Sequence, residues 1–263
     1  MCIRDRVTIA DGNATPPLQL GPAERLDLGS VDAVLIRTDP PFDSAYLHLT
    51  LLLDHLVDHT LVVNAPRGLR DANEKLYSYR FPSITPPTIV TSDRAQLLAF
   101  SRDHDAAVLK PIDGHGGRGV MVLRPDDQNA PSLLDTLTDR GRVPVMAQKF
   151  LPNVAAGDKR ILLLDGEPLG AILRIPAEAD FRANIGVGAT TVAAEIDDAD
   201  RRIIDTIAPS LRADGLFFVG LDVVDGHLTE VNVTSPTGIR QLADLSGARP
   251  DIEVIEWLEH RTT

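Results

Sequence analysis

Apolar residues along the chain switch repeatedly between two spacings, and that switching carries the fold class. Residues 32–37 (DAVLIR) read as a strand; after the turn DPPFD, residues 44–57 carry leucines at helical spacing, and 60–64 return as a strand. Together they predict one β-α-β unit. Pro66 opens a helix expected to run through Asp71, Asn73, Glu74 and Lys75 to about Tyr79, where Pro82, Pro86 and Pro87 bar its continuation. A domain boundary is placed there.

A compact lobe follows. It is expected to hold a strand at 88–91, a helix at 93–103 capped by Ser92, a strand at 106–110, and a glycine-rich loop at 113–119. A strand at 120–124 would pair with the one before the loop, and the lobe ends near Gln148. The last part offers strands at 160–164 and 168–174, a long loop with Gly186 and Gly188, and a helix at 198–213. The run GLFFVGLDVVDGHLTEVNV then reads as a β-hairpin turning at Asp225 and Gly226. Helical stretches at 238–245 and 252–259 close the chain. Strands alternating with helices make this an α/β protein, divided as 1–72, 73–148 and 149–263.

Composition narrows the function. The 263 residues are 43% hydrophobic, ample for packed cores, and carry a formal net charge of -12. That charge argues against a nucleic-acid or anionic-membrane binder, which needs a basic stripe to displace counterions from phosphates. Cys2 is the only cysteine, so an internal disulfide and a multi-cysteine zinc site are excluded, and a cytoplasmic location is expected. No apolar run approaches the roughly 18 residues of a membrane span. The seven histidines form no cluster at metal-ligand spacing.

Two constellations carry chemistry. Asp222, Glu230 and Asn232 are oxygen donors on adjoining strands of one hairpin, the ligand type that Mg²⁺ selects. Glu230 and Asn232 share a face by strand alternation. A two-residue turn at Asp225 and Gly226 would set Asp222 opposite Thr229, facing away from them, so an odd-numbered loop or a bulge is required for the three to converge. Two carboxylates about 5 Å apart repel by roughly 3 kcal/mol at an effective dielectric of 20, so convergence favours a bound cation or a raised pKa. The other constellation is VLKPIDGHGGRG (108–119), where Lys110 ends a hydrophobic strand and a glycine turn lets backbone N–H groups approach a phosphate. It is neither a Walker loop nor a Rossmann fingerprint. Lys75 adds a cation, while His115 is read as a side chain on a mobile flap, since phosphate activation needs positioning and charge more than a base.

In this order the pieces resemble an ATP-grasp ligase, and most closely the bacterial glutathione synthetases. The resemblance rests on IRTDPPFD (36–43), LRDANEKL (69–76), LKPIDGHGG (109–117), MAQKFLP (146–152), GDKRILLLDGEP (157–168) and FVGLDVVDGHLTEVNVTSPTGIR (218–240). It implies an ATP-grasp fold behind a Rossmann-like pre-ATP-grasp domain, and a ligase that joins γ-glutamylcysteine to glycine through an acyl phosphate. It implies that Lys75 and Lys110 hold the nucleotide phosphates beneath a loop of Gly114, Gly116 and Gly117, and that Gln148, Lys149, Phe150 and Leu151 form the adenine-reading hinge. Asp222, Glu230 and Asn232 would hold Mg²⁺, with Mn²⁺ as a substitute. Arg160 and Arg174 would be catalytic, meeting substrate carboxylate and acyl phosphate, and Asp39, Asp43, Asn184, Ser235, Pro236 and Thr237 would contact substrate. A homo-oligomer, tetrameric by resemblance, is implied as well.

The family opens with a strand and a helix, and nothing before Val31 is read as matching them. The start is therefore expected to be truncated, leaving the first domain without an early strand and part of its core. The alternatives are a D-alanine or glutamate ligase of the same fold, and a nucleotide-binding module without catalysis.

Overall fold

The computed structural model describes residues 2–9, 18–176 and 188–263, with the backbone alone for residues 2–6 and 9. Two strands precede Val31: β1 (Cys2–Ile9) and β2 (Leu18–Leu26) pair antiparallel, Cys2 opposite Leu26. This corrects the reading that left residues before Val31 without a strand. Neither strand alternates apolar and polar residues, so periodicity gave no signal there.

The β-α-β unit forms as expected. β3 (Ala33–Leu35) and β4 (Leu61–Val63) pair in parallel, joined by α1 (Ser44–Leu53), whose N-terminal N–H of Tyr46 is capped by Asp43 Oδ1 at 2.9 Å. Asn64, just beyond β4, ties this unit to the rest of the molecule. Its buried amide donates to the carbonyls of Phe218 and Val233 and accepts from the N–H of Phe218.

The helix expected over 66–79 is interrupted. α2 spans Pro66–Asp71 only, because Asn73 Oδ1 accepts from the N–H groups of Lys75 and Leu76 and so competes with helical pairing. Beyond it, residues 74–84 run against the far hairpin: the carbonyls of Glu74 and Ile84 accept from the N–H groups of Val231 and Leu228.

β5 (Thr88–Thr91), β6 (Ala107–Pro111), β7 (Met121–Leu123) and β8 (Val145–Lys149) form an antiparallel sheet in the order β5-β8-β6-β7. α3 (Arg94–Asp103) and α4 (Ala130–Leu137) cover one face, burying Leu97, Phe100 and Leu134 against Leu109, Leu123 and Val145. The cap of α3 is Asp93, not Ser92: its carboxylate accepts from both Ala95 and Gln96. α4 had no counterpart in the periodicity reading, since Pro131 and a short length hide it.

The second large sheet is also antiparallel and runs β11-β10-β9-β12-β13, from Thr190–Ala194, Glu167–Ile175, Asp158–Leu164, Phe218–Val224 and His227–Asn232. α5 (Asp198–Ala213) packs beneath it with Ile203, Ile204, Ile207 and Leu211, a helical stripe facing Ile161, Leu163 and Leu221. Asp197 and Asp200 close a capping box at its start. α6 (Ile239–Ser246) and α7 (Pro250–Thr262) finish the chain. No helix among the described residues is long and apolar enough to cross a membrane.

Candidate active site

The hairpin β12–β13 resolves the register question. Its loop has two residues, Asp225 and Gly226, both with positive φ, and Val224 and Val223 face His227 and Leu228. Thr229 is then an extra residue, and Asp222 pairs directly with Glu230. Of the two routes open in sequence, the chain uses the bulge. Asn232 lies two residues beyond Glu230, and its Nδ2 donates to Asp222 Oδ2 at 3.3 Å.

A cavity of about 830 Å³ opens between the two large sheets. Its lining combines charged residues, Lys75, Lys110, Asp158, Asp222 and Glu230, with apolar ones, Pro86, Val108, Val120, Phe150, Leu151 and Val154. Every residue assigned to the nucleotide from sequence lines it except Gly116. Gly116 and Gly117 both have positive φ, the backbone that glycine takes without strain.

The cations are already engaged. Lys75 Nζ lies 3.1 Å from Glu230 Oε1 and donates to the carbonyl of Gly114, so one ammonium joins the hairpin to the glycine loop. Lys110 Nζ donates to Gln148 Oε1 at 2.6 Å and to the carbonyl of the bulge residue Thr229 at 3.3 Å. Burial pushes the Lys110 ammonium down, and Glu230 opposes that shift. The N–H groups of Lys149 and Phe150 donate to the carbonyls of Pro87 and Ala106, inside the lobe.

Arg160 and Arg174 face the acids. Arg160 holds both oxygens of Asp222, at 2.5 and 3.1 Å, and its Nη1 donates to the carbonyl of Thr237. Arg174 lies 2.5 Å from Asp158 Oδ2 and 3.0 Å from Asp222 Oδ1. Burial works to raise Asp222, but the two guanidinium groups outweigh it and hold the carboxyl well below the usual range. Asp158 is hydrogen-bonded by Arg174 only, and burial, aided by the charge of Asp222, outweighs Arg174 and the more weakly felt Arg160 and raises its pKa to about 7. Sequence reading missed Asp158, although it stands two residues before Arg160 in GDKR.

The remaining candidates divide. Asp39 Oδ1 accepts from Ser235 Oγ at 2.6 Å, and the carbonyl of Pro236 accepts from Arg37. Asp43 is occupied as the cap of α1. Asn184 lies outside the described residues. Glu74, also missed, anchors the turn before Ser235: its Oε1 accepts from the N–H groups of Val233 and Thr234 and from Thr234 Oγ1. His115 lines a second cavity of about 590 Å³ that shares Lys75 and Gly114 with the first.

Among the described residues no group of three or more His, Cys, Asp or Glu could hold a metal ion. A cation at the hairpin would therefore have two carboxylates and an amide oxygen, leaving positions for phosphate and water. That donor set fits Mg²⁺, which dehydrates reluctantly and rarely takes an all-protein cage.

Residues 2–70 match the family model for the N-terminal domain of prokaryotic glutathione synthetase, and residues 74–247 match that for its ATP-grasp domain. The chain belongs to the prokaryotic glutathione synthetase family. The stretch before Val31 thus lies within the family's N-terminal domain, another correction to the sequence reading. The glutathione synthetase of Thermosynechococcus vestitus is 49% identical over 257 residues, 96% of this chain and 80% of that protein. That of Rhodopseudomonas palustris is 48% identical over 238 residues, covering 90% and 75%. Among solved structures, the ATP-grasp ligase PsnB with minimal precursor, Mg and ADP aligns with TM-score 0.64 at 17% identity, covering 98% of this chain and 85% of that one. D-alanine–D-alanine ligase from Bacillus anthracis, complexed with ATP, gives 0.61 at 19%, covering 88% and 80%. These two likenesses establish the ATP-grasp fold.

Proposed function

We propose that this chain is an ATP-dependent ligase that joins γ-glutamylcysteine to glycine to make glutathione. The observation that carries the chemistry is the convergence of Lys75, Lys110, Asp222 and Glu230 in one cavity that also has apolar walls. The apolar lining suits a purine ring, and the charged groups suit its phosphates. The divisions 1–72, 73–148 and 149–263 serve as the substrate domain and the two ATP-grasp lobes.

In this reading Lys75 and Lys110 bind the transferring phosphoryl group, and the loop of Gly114, Gly116 and Gly117 covers it and excludes water from a hydrolysable acyl phosphate. Lys75 leaves Glu230 for phosphate as it does so. Leu151 offers the base an N–H next to the hinge N–H groups of Lys149 and Phe150, which the lobe already uses. Asp222, Glu230 and Asn232 would hold Mg²⁺, which supplies charge neutralisation on the phosphate oxygens. Arg160 and Arg174 meet the acyl phosphate by exchanging their present carboxylates for the substrate oxyanion, a change a guanidinium fork makes without loss of geometry. The glycine amine then attacks the acyl carbon, and phosphate leaves. Ser235, Pro236 and Thr237 shape the acceptor side, with Asp39 reaching it from the first domain and Asn184 assigned to the same side.

A cytoplasmic enzyme assembled as a homo-oligomer accompanies this proposal. The test is ATP-dependent phosphate release with γ-glutamylcysteine and glycine, each omitted in turn. Release with D-alanine or glutamate, and none with the named pair, would replace it with another ligase of the same fold.

A further inference from the structure

One side-chain amide, that of Asn73, joins the segment carrying Lys75 to the root of the glycine loop. Its Oδ1 accepts from the N–H groups of Lys75 and Leu76, both at 3.1 Å, and its Nδ2 donates to the carbonyl of Ile112 at 3.3 Å. Both ends of the amide are used: the N–H groups need an acceptor and the carbonyl needs a donor, which fixes the end that is oxygen. The contact through oxygen closes a turn that aims Lys75. The backbone there is held from other sides too, since the N–H of Val231 donates to the carbonyl of Glu74 at 3.0 Å and Ser78 Oγ to that of Lys75 at 2.7 Å. The contact through nitrogen grips the glycine loop at Ile112, directly after β6.

Lys75 makes a further tie to the loop. Its ammonium donates to the carbonyl of Gly114 and lies 3.1 Å from Glu230 Oε1. On the ligase reading that ammonium passes to phosphate when nucleotide binds, and its hold on Gly114 goes with it. The amide of Asn73 is uncharged and sits at the root of the loop, so its bond to Ile112 has no reason to break. We propose that Asn73 is a positioning residue with two separable tasks: its oxygen places Lys75, and its nitrogen keeps the glycine loop seated over the acyl phosphate once Lys75 has released it. This rests on the ligase reading above and names what holds the loop closed against water.

An unseated loop admits water. Water then attacks the acyl carbon in place of glycine, the bond from that carbon to the phosphate oxygen breaks, and phosphate leaves with the electron pair. The dipeptide carboxylate is restored, a proton passes to solvent, and ATP is consumed with no amide formed. The ratio of phosphate released to glutathione formed therefore reports the seating, whereas the KM for ATP reports the placement of Lys75.

The test measures both quantities in variants that divide the amide. Asn73→Asp keeps an oxygen for Lys75 and Leu76 but sets a second oxygen against the Ile112 carbonyl. Its KM for ATP should stay within about threefold of wild type, while the ratio rises from about one to about two or more, since one neutral hydrogen bond shifts the open population about fivefold. Asn73→Ser supplies an oxygen without added charge and should show the same split. Asn73→Ala loses both contacts, so its KM for ATP should rise about fivefold as well. Trypsin cleavage after Arg118, exposed in the loop, reads the seating without turnover. With the non-hydrolysable analogue AMPPNP bound, Asn73→Asp should be cut about fivefold faster than wild type.

An unchanged ratio and unchanged cleavage in both Asn73→Asp and Asn73→Ser overturn the proposal. So does a loss of turnover that follows only a lower melting temperature, which would make Asn73 structural. Wild-type protein that releases no phosphate with γ-glutamylcysteine and glycine refutes the ligase reading, and the trypsin comparison then decides the seating of the loop by itself.

Discussion

Lys75 Nζ lies 3.1 Å from Glu230 Oε1, placing the lysine proposed to bind phosphate against a proposed metal ligand. Lys75 is almost fully buried, so its charge needs this partner before any nucleotide arrives. Glu230→Gln keeps the shape and removes the charge. Turnover should fall at least about 100-fold, as for loss of one preorganised charge-stabilising group, while circular dichroism shows a folded protein. Unchanged turnover would remove the metal role from Glu230.

Lys110 is expected to act on the nucleotide and not on the amine acceptor. Lys110→Met should raise the KM for ATP by about 10-fold or more and leave the KM for glycine within about threefold, the scale of one charge-assisted contact. Titration of ATP at saturating dipeptide and glycine measures this. A rise confined to glycine would place Lys110 elsewhere.

Asp158 gives stability a pH dependence of definite sign. Its folded pKa, raised to about 7 by burial, lies above that of an unfolded aspartate, so between about pH 4 and 7 the native state keeps a proton the unfolded state has lost. Its contribution is full below pH 4 and is lost as pH rises towards 7. Urea denaturation at intervals from pH 4 to 8 should show the stability of the wild type declining relative to Asp158→Asn, with a constant difference above about pH 7. Parallel curves throughout would show that Asp158 is ionised across the range.

Gly157 stands at φ 136° and ψ 164°, a region essentially restricted to glycine, and an added Cβ would come 2.6 Å from Leu173 Cδ1. Gly157→Ala should cost about 1–3 kcal/mol of stability from the backbone alone. The shift in the denaturation midpoint reports it. Because Gly157 directly precedes Asp158 and β9, activity should fall as well.

The site was legible where chemistry is local. Lys110 at the end of an apolar strand, the glycines of 113–119, and the alternation of Glu230 with Asn232 all follow from residue type and strand period. Asp158 and Glu74 escaped because nothing in their neighbourhoods distinguishes them from solvated acids. Asp158 acquires its raised pKa from burial beside Arg174, and Glu74 its role from Val233 and Thr234, about 160 positions away. The interruption of the helix at Asn73 was missed for a related reason, since propensity alone does not say when a side-chain turn will outcompete helical pairing.

Sequence by itself determined the family, the β3-α1-β4 unit, the hairpin, and the condition that Asp222 meets Glu230 only through an odd-numbered loop or a bulge. These depend on composition, periodicity and motif order along the chain. Tertiary structure decided which route the hairpin took, an extra residue at Thr229, and which partners the charges found. Those outcomes belong to pairing between distant strands, where cross-strand register and the dielectric of the finished interior set the energies, and neither exists until the chain has folded.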